Sequence, residues 1–185
     1  AETAAIALSQ ACMTEINSLI TAANYSSNTV TGVALGYAEV VAAQKTLDDA
    51  KAPDKRALVL NNTYISDLRS DASIIAAFQL GANVISTGSL GTIAGAQVYQ
   101  FSNLSGNSQN LSGFLCGADA IACATALPFN EIPGADVGQA TDPATGLSVQ
   151  VMILQEQSGH YNITATLLFG CAVGRSTSLR RLLSA

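Results

Sequence analysis

Leu47-Asp48-Asp49-Ala50-Lys51-Ala52-Pro53, Arg56-Ala57-Leu58-Val59-Leu60, Asn61-Asn62-Thr63-Tyr64-Ile65-Ser66-Asp67-Leu68 and Gly88-Ser89-Leu90-Gly91-Thr92-Ile93-Ala94-Gly95-Ala96-Gln97-Val98-Tyr99 succeed one another in this chain, closed by Phe101-Ser102-Asn103-Leu104. A helix over 37–51, with Tyr37, Val40, Val41 and Leu47 inward, is stopped by Pro53, which has no N–H to continue the ladder. Ala57 to Leu60 is a short apolar run ending in two asparagines, the pattern of a buried strand that feeds a helix N-cap. A short helix over 63–70 comes next. The glycine-punctuated segment 88–102 reads as two short strands with a turn at Gly95.

Working outward, Ala5, Leu8, Cys12, Met13, Ile16, Leu19 and Ile20 recur at steps of three and four, which predicts an amphipathic helix over 2–20. Residues 21–35 read as loop, 72–80 as helix or connector, and 103–112 as loop. Phe114 to Cys116 reads as a short strand, Ala118 to Ala126 as a short helix, and 128–145 as turns. Val149, Val151 and Ile153 alternate with Gln150, Met152 and Leu154, and Ser158-Gly159 turns the chain into a return strand, Tyr161 to Ala172. An Arg-rich tail, 175–181, ends the chain. Helices and strands alternate irregularly, so the expected class is α+β rather than a doubly wound sheet.

Composition narrows function. Of the 185 residues, 49% are hydrophobic, yet aromatics are 5% and Trp is absent. The core must then be built from Ala, Val, Ile and Leu, which offers few stacking platforms for bases or sugars. Charged residues are 11%, well under the ~25% of ordinary domains, so the surface is rich in Ser, Thr, Asn and Gln. A weakly charged surface repels its neighbours weakly, and this favours association. The net charge of −5, with no Lys or Arg from Asp71 to Gly174, argues against a phosphate-binding face. No apolar run approaches the ~20 residues of a membrane-spanning helix, and residues 1–20 lack the features of a signal peptide. The chain opens with Ala, so upstream sequence is expected to be missing.

No catalytic, cofactor-binding or metal-binding residue is predicted. His160 is the single histidine; it falls beside Gly159 at a hairpin turn, with nothing to orient it against a nucleophile. Cys12, Cys116, Cys123 and Cys171 match neither a disulfide framework nor a zinc site, and free thiols in a reducing compartment are expected. Cys12 and Cys171 lie in apolar runs and read as small buried hydrophobes. The glycines at 88, 91 and 95 lack the Lys-Ser/Thr of a phosphate loop and read as turn residues. Asn24, Asn61, Asn103, Asn110 and Asn162 each begin an Asn-x-Ser/Thr sequon, which chance supplies in so polar a chain. Arg175, Arg180 and Arg181 suit salt bridges to a neighbouring subunit better than nucleic acid.

In this order the motifs resemble the C-terminal core of a tailed-bacteriophage major capsid protein. Gly91 to Tyr99 with Ser102-Asn103 after it is the most specific piece. Leu47 to Pro53, Arg56 to Leu68, Cys116 to Ala122 and Leu168-Phe169-Gly170-Cys171-Ala172-Val173 support it. Asn61-Asn62 stands where the family often has Asn-Pro or Ser-Pro. The resemblance implies an axial lobe of mixed sheet with flanking helices over 25–150, and a peripheral lobe over 1–24 and 151–185, a spine helix packed on long antiparallel strands. It implies a non-enzymatic shell subunit without cofactors, assembling with copies of itself into rings of capsomers and an icosahedral shell around DNA, with scaffolding protein as a possible helper. It implies no sequence-specific nucleic-acid contact, no membrane, and a virion location after assembly in a bacterial host's cytoplasm. The family's N-terminal arm and extended loop would precede Ala1. Competing readings are an encapsulin-like nanocompartment subunit and a secreted, glycosylated adhesion or coat domain.

Overall fold

The computed structural model describes residues 2–31, 34–79, 90–128, 135–141, 148–155 and 159–185. It is mixed α and β: among the described residues, helices α1 (Glu2–Ser18), α2 (Tyr37–Asp49), α3 (Asn62–Ser70) and α4 (Ala72–Gln79) accompany eleven short strands. Two compact units emerge from the contacts, Ile16–Ala122 with Val173–Ala185, and Ala1–Glu15 with Cys123–Ala172.

The first unit is built on a six-stranded sheet. Its strands are β1 (Asn28–Thr31), β2 (Arg56–Leu60), β3 (Thr92–Ile93), β4 (Ala96–Gln100), β5 (Leu111–Gly117) and β11 (Leu179–Ser184), in the order β1-β11-β5-β2-β4-β3. β1 pairs with β11, and β2 with β4, in parallel; the other pairings are antiparallel. Successive side chains of a strand take opposite faces. Leu58 and Leu60 therefore enter one core with Val40, Leu47, Tyr64, Ile65, Leu68, Leu115 and Leu182. Val59 enters the other, with Ile20, Tyr25, Phe114 and Leu179. The β11–β5 register shifts between Leu182 and Leu183. This bulge lets Leu111 join Phe114 in the second core although alternation alone would set them on opposite faces.

The expected turn chemistry is present where it can be seen. Asn61 Oδ1 accepts from Tyr64 N at 2.9 Å and caps α3. The β3–β4 turn takes positive φ at Ala94 (48°) and Gly95 (85°), so the glycine at 95 supplies backbone freedom, not a phosphate cradle. Gly88 and Ser89 lie outside the described residues.

The second unit carries a three-stranded antiparallel sheet, β7 (Asp136–Thr141), β8 (Ser148–Gln155) and β9 (Tyr161–Thr166), in that order. A two-stranded sheet pairs β6 (Ile121–Ala126) with β10 (Leu168–Val173).

Several expectations need correction. In place of the helix expected over 118–126, residues 121–126 form β6, because the pairing with β10 overrides the helix propensity of its alanines. The expected loop 21–35 contains β1, and the expected turns of 128–145 contain β7. The return strand 161–172 is two strands, interrupted at Leu167. The Arg-rich tail is not a free tail: a short 3-10 turn at Ser176–Ser178 leads its last residues into β11, between β1 and β5. β7 pairs with β8, which keeps 136–141 with the strands at 148–155 and 161–166, and β11 binds the last residues into the six-stranded sheet.

Candidate functional site

A groove of about 510 Å³ lies at the start of β2, lined by Asp54, Lys55, Arg56, Gln97, Tyr99 and Cys116 among others. Its chemistry is already committed. The Arg56 guanidinium meets Asp48 Oδ1 at 2.6 Å, and donates to Gln44 Oε1 at 2.5 Å, Pro53 O at 3.1 Å and Ala52 O at 3.3 Å. It ties the C-terminal end of α2 to β2 and has no free donor face for a ligand. The Cys116 thiol donates to Ala57 O at 3.7 Å. Burial pushes its pKa up to about 11, so at neutral pH it is a protonated, poor nucleophile. Arg56 and Cys116 are thus engaged within the fold rather than presented to a ligand.

The residues weighed from sequence are scattered. His160 is exposed beside Gly159, whose φ is 82°. Among the described residues no group of three or more His, Cys, Asp or Glu side chains can hold a metal ion. Cys12 and Cys171 are half-buried rather than fully buried, and Cys123 is exposed. Asn24 is half-buried and uses its side-chain amide on Leu19 O at 2.8 Å, which, with the capping role of Asn61, makes two of the five sequons structural.

The three arginines expected to reach a neighbour are used internally. Arg175 donates to Ala50 O at 2.5 Å and Lys51 O at 3.1 Å, covering carbonyls at the end of α2, and lies 3.7 Å from Asp119. Arg180 donates to Thr29 Oγ1 at 2.9 Å and to Ser27 Oγ. Arg181 is buried, donating to Tyr25 O at 2.7 Å and to Gln109 Oε1. Loss of water lowers the pKa of both Arg180 and Arg181. Their neutral acceptors hold β11 to β1, to the loop before it and to the segment before β5.

What the surface does offer is apolar area on a sheet. On β8, Val149, Val151 and Ile153 share one face, and the register sets Ile153 opposite Ile163 and Val151 opposite Ala165. Tyr161 (65% exposed) and Ile163 (63%) extend this face on β9. The opposite face contains the buried Met152 and Gln150. Contiguous exposed apolar side chains on one face mark contact surfaces more often than reaction sites. Alternation at 149–154 was legible in the sequence; which of its two faces is exposed was not, because both carry apolar residues.

No protein-family model and no curated protein sequence matches the chain. Among solved structures, the chain is similar to one described as "Capsid structure of the Cyanophage P-SCSP1u", at a TM-score of 0.52 and 13% identity, over 85% of this chain and 53% of that one. It is also similar to one described as "Asymmetric unit of bacteriophage PhiM1 mature capsid", at a TM-score of 0.50 and 8% identity, over 85% of this chain and 51% of that one. The chain thus spans about half the length of the capsid chains it matches. At these identities the likeness is one of fold, and the fold is capsid-like. No helix among the described residues is long and apolar enough to cross a membrane.

Proposed function

We propose that this chain is the core of a tailed-phage or prophage major capsid subunit, a structural protein without enzymatic activity that assembles with copies of itself into an icosahedral shell around DNA. The observation that carries the reading is the exposed apolar face of the β7–β8–β9 sheet, in a chain that shares its fold with two phage capsid structures. Low charge and a stretch from Asp71 to Gly174 without Lys or Arg suit a wall that packs against itself and does not adhere to the nucleic acid it encloses. In this reading the six-stranded unit is the lobe that meets its counterparts around the symmetry axes, and the unit with the three-stranded sheet is peripheral. Contacts between copies are heterologous and close into rings. Assembly takes place in a bacterial host's cytoplasm, with scaffolding protein as a helper, and the mature location is the virion.

Negative-stain electron microscopy of the complete gene product tests this. Closed shells of uniform diameter are expected, with an absorbance ratio that reports nucleic acid inside. Monomers carrying glycan mass at Asn103, Asn110 or Asn162 overturn the reading in favour of a secreted domain. Shells that hold a protein cargo and no nucleic acid overturn it in favour of a nanocompartment.

A further inference from the structure

We propose that Cys123 and Cys171 form a cross-strand thiol pair that closes to a disulfide by exchange with a small-molecule disulfide. The bond would clasp together the two ends of the segment carrying the three-stranded sheet. The inference is independent of the capsid reading.

The strands that carry the two residues, β6 and β10, are six residues each and are neighbours in a two-stranded sheet. Just beyond their ends, Gly174 N donates to Ala120 O at 2.9 Å and Arg175 N to Asp119 O at 2.8 Å. Each step forward on one strand is therefore a step back on the other, the antiparallel sense. Three positions on from Gly174 and Ala120, Cys171 stands opposite Cys123. The same register sets Ile121 opposite Val173 and Ala126 opposite Leu168, so the two strands match end to end. Residues directly opposite each other in an antiparallel pair have Cα atoms about 4.5–5.5 Å apart, inside the ~4.4–6.8 Å span that a disulfide bridges.

Access and order of reaction derive from exposure: Cys123 is exposed and Cys171 half-buried. The Cys123 thiolate attacks one sulfur of the small disulfide and expels the other half as a thiolate. The Cys171 thiolate then attacks the Cys123 sulfur and expels the second half. Two protein thiols are oxidised, the small disulfide is reduced to two thiols, and the two protons pass to the departing thiolates. Electrostatics support the proximity. The Cys171 thiol is pushed up by desolvation first, and then by Cys123, Glu15 and Cys12, while Cys123 is pushed up by desolvation and then by Cys12. Such thiols exchange slowly at neutral pH and faster as pH rises. The closed loop, residues 123–171, contains β7, β8 and β9.

The methionines make the test direct, because cyanogen bromide cuts after Met13 and Met152. Cys12 then lies in the first fragment, Cys116 and Cys123 in the middle one, and Cys171 in the last. The full chain is treated with oxidised glutathione, its remaining thiols are blocked in denaturant, and the species of monomer mass is cleaved. The expected result is the middle fragment joined to the last by a bond that dithiothreitol breaks. The join disappears in Cys123→Ser and in Cys171→Ser and persists in Cys12→Ser and Cys116→Ser. Where a variant fails to fold, cleavage of the joined wild-type species before Asp119 separates Cys116 from Cys123 and decides which of the two is paired. A join to the first fragment, a join that survives Cys123→Ser, or free fragments at full glutathione oxidation would overturn the proposal.

Discussion

Asp71 shows how one short side chain organises two helices. Its Oδ2 accepts from Tyr37 N at 2.9 Å, at the start of α2, and its Oδ1 accepts from Ser73 N at 2.7 Å, at the start of α4. The Tyr37 N–H is the largest influence holding its carboxyl below the usual carboxylate range, with Ser73 and Ile74 adding to it and burial acting in the opposite direction. Because the folded value is depressed, the stabilisation is fully present above the unfolded value of about 3.9. It is lost as pH falls through the lower folded value. Asp71→Ala should therefore cost about 0.5–1 kcal/mol at neutral pH, after allowance for screening at this partly exposed site. In urea unfolding the gap from wild type should narrow as pH drops below about 4; a gap that stays constant with pH would reject the charged cap. Gly113 makes a second prediction. A Cβ there would lie 2.6 Å from Leu60 Cδ2 and 2.8 Å from Val59 O, at the centre of the sheet where neither can retreat freely. Gly113→Ala should destabilise by about 1–3 kcal/mol, read as a lower denaturation midpoint with unchanged slope. At this scale the sequence was informative where chemistry is local. The Asn61 cap could be read because donor and acceptor are three residues apart. The burial of Arg181 could not, because its acceptors at Tyr25 and Gln109 are remote in sequence.

Among the elements, those held by their own pattern were legible and those held by partners were not. The helices at 2–18, 37–49 and 62–70, the strand at 56–60 and the hairpin strands at 148–155 and 161–166 all obey a periodicity or a stop signal in their own residues. β6 reads as a helix by its alanines and is a strand only through β10. β1 and β7 are four and six residues long, too short and too polar for an alternation to stand out. β11 carries Leu-Arg-Arg-Leu-Leu, which has no period of two because both of its faces are buried. That burial makes β11 testable: Leu182 is fully buried in the larger core, and Leu182→Ala should cost about 2–5 kcal/mol in chemical denaturation. A cost under about 0.5 kcal/mol would mean that β11 does not close this sheet.

At the scale of the whole molecule the two units are set for different tasks. The six-stranded unit holds the two buried apolar clusters, and the smaller unit displays the exposed apolar sheet face. If that face is where copies meet, Ile163→Glu places a charge in the contact while leaving the subunit's own cores untouched. Shell yield on a sucrose gradient should fall at least about tenfold for a loss of ~1.4 kcal/mol per contact, with an unchanged circular dichroism spectrum; undiminished shell yield would remove the face from the assembly surface. The class, the weak charge and the motif order were legible at this scale. The pairing of β6 with β10 and of β7 with β8 was not, because each depends on residues elsewhere in the chain.

The position of β11 has a consequence in time. The strand that fills the gap between β1 and β5 is the last of the eleven described strands in chain order, and it supplies Leu182 to one core and Leu179 to the other. During synthesis β5, β2 and β4 can assemble early, but β11, the neighbour of β1 among the described strands, is complete only once residue 184 has been made. Until then the nascent chain carries an open sheet edge, the condition under which strands of different chains pair wrongly. Completion of this unit therefore waits on a six-residue strand made long after its first strand.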